Sequence, residues 1–187
     1  VTVIKDDKTM NAFALPGGKI AVYTGIFPVA KTEAGLAAVM GHEVVHALAR
    51  HGGERMSQNT LAQTTLQAIG IALGVSGANP VVSQGAMAAL GVGAQVGVLL
   101  PFSRKHESEA DYVGVLLAAD AGYDPRESIQ LWMRMGELSG GKSASEFMST
   151  HPSHETRIEQ LEEWMSEAMP IYQSKPPAPN HELPALR

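Results

Sequence analysis

The run from Thr32 to Gly53 constrains this chain more than any other stretch. Ala34, Leu36, Ala37, Val39, Met40, Val44, Val45 and Leu48 follow the spacing of a buried helical face. Thr32 offers an N-cap oxygen, Glu33 a first-turn carboxylate, and Gly52-Gly53 a stop. Set into this helix is His42-Glu43-Val44-Val45-His46. Residues four apart stack on one helix face about 6 Å apart, so two imidazoles there can converge on one tetrahedral ion. Glu43 projects beside that face, where it can reach a metal-bound water without displacing a ligand. With 7 histidines in 187 residues, a shuffled chain carries this motif about 0.02 times. Two solvent-facing histidines on an ordinary helix are the competing reading.

A catalytic zinc needs a third protein ligand and an open fourth position. The candidates are His51, His106, Glu107, Glu109, His151 and His154. His51 stands five residues past His46 and is expected to point away, as a cap or surface residue. In Glu107-Ser108-Glu109-Ala110-Asp111, Glu107 and Asp111 share a helix face and Glu109 is rotated off it. Glu107 is therefore the expected third ligand of one zinc ion. Asp111 is expected to accept a hydrogen bond from a ligand imidazole, and Glu109 reads as a solvated acid.

Residues 1–4, 11–15 and 20–24 read as short strands, with Asp6-Asp7 and Pro16-Gly17-Gly18 as turns, so residues 1–28 predict a three-stranded meander. Residues 61–75 and 81–100 are apolar but Ala/Gly-rich and broken by Gln63, Gln67, Ser83, Gln84 and Gln95. They predict a helical lid or insertion rather than a membrane span, which needs about 20 strongly apolar residues. Helices over 103–122 and within 124–169 follow, and residues 174–187 read as a Pro-rich mobile tail. The fold class is α+β, predominantly helical, with 1–173 as one domain.

Net charge −5 without a Lys/Arg cluster argues against a nucleic-acid partner. The lack of cysteine excludes disulfides, Cys-ligated zinc and a thiol nucleophile. Val1-Thr2-Val3-Ile4 reads as strand, not signal peptide, so any targeting segment is expected to lie outside this chain.

These motifs, with Ser103-Arg104 before Glu107, Asn11-Ala12-Phe13, Ala121-Gly122-Tyr123-Asp124-Pro125, Thr150-His151-Pro152 and Arg157, make the chain resemble the HtpX and CAAX-prenyl-endopeptidase family of gluzincin zinc metallopeptidases. The soluble bacterial envelope branch, BepA- and LoiP-like, is the nearest in pattern. The resemblance covers nearly everything short of the tail. It implies a zincin-like fold with an active-site helix beside a small sheet. It also implies zinc on His42, His46 and Glu107, Glu43 as base, and Asp111 bracing the first histidine. Proteins or peptides are the implied substrates, in envelope quality control, at a periplasmic or membrane-associated location. HtpX-type members carry a transmembrane hairpin between the two metal motifs; here residues 61–100 stand in that place, leaving peripheral membrane contact as an expectation. The helical repeats of the BepA type are not matched.

The expected chemistry is hydrolysis of a peptide bond by zinc-activated water, with Glu43 as general base and then acid. His151, His154 and Arg157 are candidate donors to the oxyanion. His151 is equally a candidate to fill the fourth zinc position and hold the site latent, or simply to cap the last helix. Two other readings stand beside this one: a chaperone-like assembly factor with a structural or blocked zinc, and a membrane-embedded protease.

Overall fold

The computed structural model describes residues 1–77, 79–139, 151 and 156–185. It is a predominantly helical α+β fold with a small sheet, as the sequence predicts. The strands are β1 (Thr2–Ile4), β2 (Ala12–Leu15) and β3 (Lys19–Tyr23), in the order β1-β3-β2. β2 and β3 form the expected antiparallel hairpin, with Ala12 opposite Val22 and Leu15 opposite Lys19. Gly17 and Gly18 turn it at φ 89° and 79°, a region open to glycine.

The sheet is not a meander, because β1 runs parallel to β3, Thr2 beside Ala21 and Ile4 beside Tyr23. The turn after β1 is tied to the far end of β3 instead of folding back onto β2. The Asp6 N–H donates to Thr24 Oγ1 at 3.0 Å, the Thr24 hydroxyl donates to Asp7 Oδ1 at 2.5 Å, and the Gly25 N–H donates to Asp6 O at 3.0 Å. One side of β2 is thereby left without a strand partner among the described residues.

After a short α1 (Phe27–Ala30), α2 spans Glu33–Leu48, and Thr32 Oγ1 accepts the Gly35 N–H at 3.2 Å as its N-cap. The helix stops earlier than Gly52-Gly53 suggests. Arg50 adopts left-handed φ 58°, ψ 31°, and α3 (His51–Val75) starts directly after it, with both glycines in its first turn. α4 (Pro80–Ala94) packs back on α3, and a π-helical turn (Gln95–Leu99) leads into α5 (Leu100–Asp120). Pro101, expected to end a helix, sits in the first turn of α5, where its missing N–H costs nothing. α6 (Arg126–Ser139) and α7 (Arg157–Gln173) complete the described helices.

The core lies between the sheet and α2, α5, α6 and α7, around Val22, Ile26, Val39, Val115, Met135 and Leu161. α2 and α5 make their closest approach at two glycines. A Cβ on Gly41 would lie 2.6 Å from Gly114 O, and one on Gly114 would lie 2.8 Å from His42 N. That approach sets the register between the two helices carrying the candidate metal residues.

The α3–α4 pair stands apart from this core. It leaves Leu61, Ile71, Val81 and Val82 exposed, and no acidic or basic residue occurs between Arg55 and Arg104. Among the described residues, no helix is long and apolar enough to cross a membrane. The segment expected as a mobile tail instead makes specific contacts. The Ala178 N–H donates to Gly122 O at 2.9 Å and the Leu183 N–H to Lys31 O at 2.8 Å. At the start of α2, Asn180 Oδ1 accepts the Ala34 N–H at 2.9 Å and His181 O the Glu33 N–H at 3.0 Å. First-turn N–H groups lack helical partners, and this segment supplies them.

Candidate metal centre

α2 presents His42, Glu43 and His46 on its buried side, and α5 brings Glu107 and Asp111 against them across the glycine contact. His151 completes the cluster. One ligating atom from each of His42, His46, Glu107 and His151 can be chosen so that all lie within 4.8 Å of one another. His42 Nε2 is 3.0 Å from His46 Nε2, 3.1 Å from His151 Nδ1 and 3.3 Å from Glu107 Oε2. His46 Nε2 is 3.4 Å from Glu107 Oε1.

The tautomers follow from the outer partners. His42 Nδ1 lies 2.9 Å from Asp111 Oδ1 and donates its proton there, so in the neutral ring that an ion would require, Nε2 turns a lone pair into the cluster. Asp111 is itself clamped by Arg157, from Nε to Oδ2 at 2.5 Å and from Nη2 to Oδ1 at 2.8 Å. The Arg157 guanidinium also lies 3.4 Å over the Trp132 ring. Arg157, expected among the oxyanion donors, thus points behind the histidines into Asp111 and Glu107 and does not line the cleft.

Burial disfavours a charge on His42, but the Asp111 and Glu107 carboxylates outweigh it and hold its pKa at about 9. Burial, reinforced by the charge on His42, pushes His46 down to about 2. Burial opposes ionisation of Glu107, yet hydrogen bonds from His151 and His42 keep it well below the usual carboxylate range. Asp111 follows the same logic, with Arg157 the chief counterweight to burial. Glu43 goes the other way: burial raises it, against opposing pulls from His151 and His42.

The donor set fits a divalent cation. Imidazole nitrogens face one another at 3.0 Å, and buried Glu107 Oε1 accepts no hydrogen bond from the described residues. Ring nitrogens converging on a buried carboxylate call for a positive charge among them, which the proton on His42 supplies when no ion is bound and a divalent cation would supply in its place. Three imidazoles and a carboxylate are the donor chemistry of zinc.

Glu43 is 1% exposed, and its Oε1 accepts no hydrogen bond from the described residues and lies 3.3 Å from His151 Nε2. It borders a cleft of about 200 Å³ lined by Phe13, Ala14, Glu43, His46, His51, Gly52, Arg55 and His151. A larger groove of about 580 Å³ continues along the outer edge of β2 past Leu15 to Gly18, opposite Arg50, Gly52 and Gly53.

Of the other candidates, His154 lies outside the described residues. His106 stacks on His51 with ring centroids 4.2 Å apart and lies 3.1 Å from Glu54 Oε2. His51, expected at the surface, is only 3% exposed, and its Nδ1 is 3.0 Å from His46 Nδ1. Glu109, expected to be simply solvated, reaches within 3.5 Å of His51 Nε2. Arg55, which sequence reasoning passed over, lines the cleft 3.9 Å from Glu107 Oε1.

Comparison with known proteins fits this geometry. The family model described as Peptidase family M48 matches residues 1–165. The mitochondrial metalloendopeptidase OMA1 of Schizosaccharomyces pombe is 43% identical over 164 residues, covering 87% of this chain and 45% of that protein. The protein of the same name from Arabidopsis thaliana is 40% identical over 175 residues, covering 91% of this chain and 33% of that protein. A putative beta-barrel assembly-enhancing protease of Vibrio cholerae is 32% identical over 154 residues, covering 81% of this chain and 32% of that protein. The chain spans less than half the length of these relatives. The expected bacterial envelope location is overturned, since mitochondrial relatives match at 43% and 40% identity against 32% and 28% for the bacterial ones. The metal motifs that suggested that branch are tied to chemistry, not to a compartment.

Proposed function

We propose, from the premise that this chain belongs to peptidase family M48, that it is a zinc-dependent endopeptidase acting on proteins or peptides. His42, His46 and Glu107 hold the ion, and residues 1–173 act as one peptidase domain. The observation that carries this reading is the convergence of four buried donor residues within 4.8 Å, with the Glu43 carboxylate beside them. Zinc held there supplies Lewis acidity, which acidifies water and polarises a peptide carbonyl.

The chain's own groups do the rest. Glu43, its pKa raised by burial, would take a proton from the attacking water and deliver it to the departing amine. Asp111 and Arg157 hold His42 in the tautomer protonated at Nδ1, which leaves the Nε2 lone pair to the ion. The outer edge of β2, with the groove beside it, receives an extended substrate by strand addition, leading its backbone towards Glu43. The names of the two bacterial relatives, which pair proteolysis with assembly, support a role in protein quality control.

His151 stands between the ligands and the base, 3.1 Å from His42 Nε2 and 3.3 Å from Glu43 Oε1. That is the place water and substrate need, so the resting site is latent and opens when His151 withdraws. A permanently blocked, chaperone-like protein is the second reading that this position favours. Casein cleavage tests both: the wild type cleaves, while chelation and Glu43→Gln abolish cleavage. Activity that survives both treatments refutes the zinc mechanism. His151→Ala should raise basal cleavage, and an unchanged or lower rate refutes latency.

A further inference from the structure

We propose that His51, anchored by Glu109, is a positioning residue that fixes the ring of the metal ligand His46. The proposal rests on the metal-site reading above. His46 turns its Nε2 into the cluster, 3.0 Å from His42 Nε2, so in the neutral ring Nδ1 carries the proton and must donate it. The acceptor in place is His51 Nδ1 at 3.0 Å. His51 then carries its own proton on Nε2, which faces Glu109 Oε2 at 3.5 Å. A stack with His106 at 4.2 Å and 12° holds the His51 ring in this plane, and Glu54 holds His106 from behind. His46 thereby has the kind of support that His42 draws from Asp111, delivered through a second imidazole.

The backbone gives an independent sign. On a continuous helix, a residue five positions after His46 would be rotated about 140° away from it. The chain instead adopts φ 58° at Arg50, a left-handed conformation that disfavours a non-glycine residue. The break aims His51 back at His46, so strain is held where the site gains a partner.

The test is zinc affinity by competition with a chromophoric chelator, with cobalt absorption spectra of the same site. His51→Leu keeps bulk and loses the acceptor, and should weaken zinc binding roughly 10- to 100-fold and alter the cobalt spectrum. His51→Asn places an amide oxygen near Nδ1 and should recover most of that loss. Glu109→Ala, on an exposed side chain outside the core, should weaken binding by a smaller factor, and Glu109→Gln should restore it. Equal affinity in wild type, His51→Leu and Glu109→Ala overturns the proposal. So does equal loss in the Leu and Asn variants, which would make His51 a packing residue only. A wild type that binds no zinc overturns the site reading itself, and this inference with it.

Discussion

Replacing Gly114 with alanine should disturb the candidate metal site without touching any of its side chains. The added Cβ would lie 2.8 Å from His42 N and 3.0 Å from Gly41 C. Carbon settles at about 3.5 Å or more from such atoms, so α2 and α5 must part by roughly 0.7 Å. Both obstacles are backbone, which cannot rotate aside. Overpacking of this kind costs about 1–3 kcal/mol. The same movement carries Asp111 and Glu107 away from α2. The His42–Asp111 hydrogen bond, 2.9 Å at present, would stretch to about 3.6 Å and cease to be one. Loss of such support typically weakens metal affinity about 10- to 100-fold. Urea midpoints and chelator competition measure the two effects separately. Gly136→Ala is the control: its Cβ meets nothing within 4 Å on α6, so it should stabilise by about 1 kcal/mol. If Gly114→Ala keeps the wild-type midpoint and affinity, the close approach of α2 and α5 does not set the site.

Arg157→Met leaves Asp111 and Glu107 buried without their cation, and should cost about 3–5 kcal/mol by urea unfolding; a loss under 1 kcal/mol would mean the carboxylates are neutralised otherwise. Chelation should lower the thermal midpoint, since zinc at a thousandfold excess over its Kd stabilises by about 4 kcal/mol. A midpoint indifferent to chelator and added zinc would remove the ion from the fold. Asp124, its carboxyl held below its usual value of 3.8 by Arg126, is stabilising while ionised. The gap between wild type and Asp124→Asn should be about 0.5 kcal/mol at neutral pH. It should persist down to pH 3.8 and close as the pH falls through the depressed folded value. A gap that widens in acid would reverse the sign assigned here.

The features legible in the sequence are those that depend on short spacing. His42 and His46, four apart, and Glu107 and Asp111, four apart, meet because each pair shares one helix face. What escaped reading depends on single backbone dihedrals or on contacts far along the chain. Nothing about an arginine announces positive φ, so His51 was placed on a continuous helix and aimed outwards, and Glu109 lost its partner with it. The parallel pairing of β1 hangs on Asp6 and Asp7 reaching Thr24, eighteen and seventeen residues away, where a local turn signal pointed to a meander. The C-terminal segment has the composition of a tail, yet it serves N–H groups of α2 well over a hundred residues earlier. Arg157 was read as a donor to substrate because its carboxylate partners sit on another helix.

The stretch without acidic or basic residues between Arg55 and Arg104, which holds most of α3 and all of α4, has a consequence for how this protein is mapped. Trypsin has no site between Arg55 and Arg104, and a glutamate-specific protease has none between Glu54 and Glu107. Lysine cross-linkers are equally blind there, because Lys31 and Lys105 bracket the whole stretch. A long fragment surviving digestion would therefore record the residues available for cutting, not the rigidity of the hairpin. Elastase, which cuts after small residues, is the reagent that can see it, because the exposed faces are rich in alanine and valine.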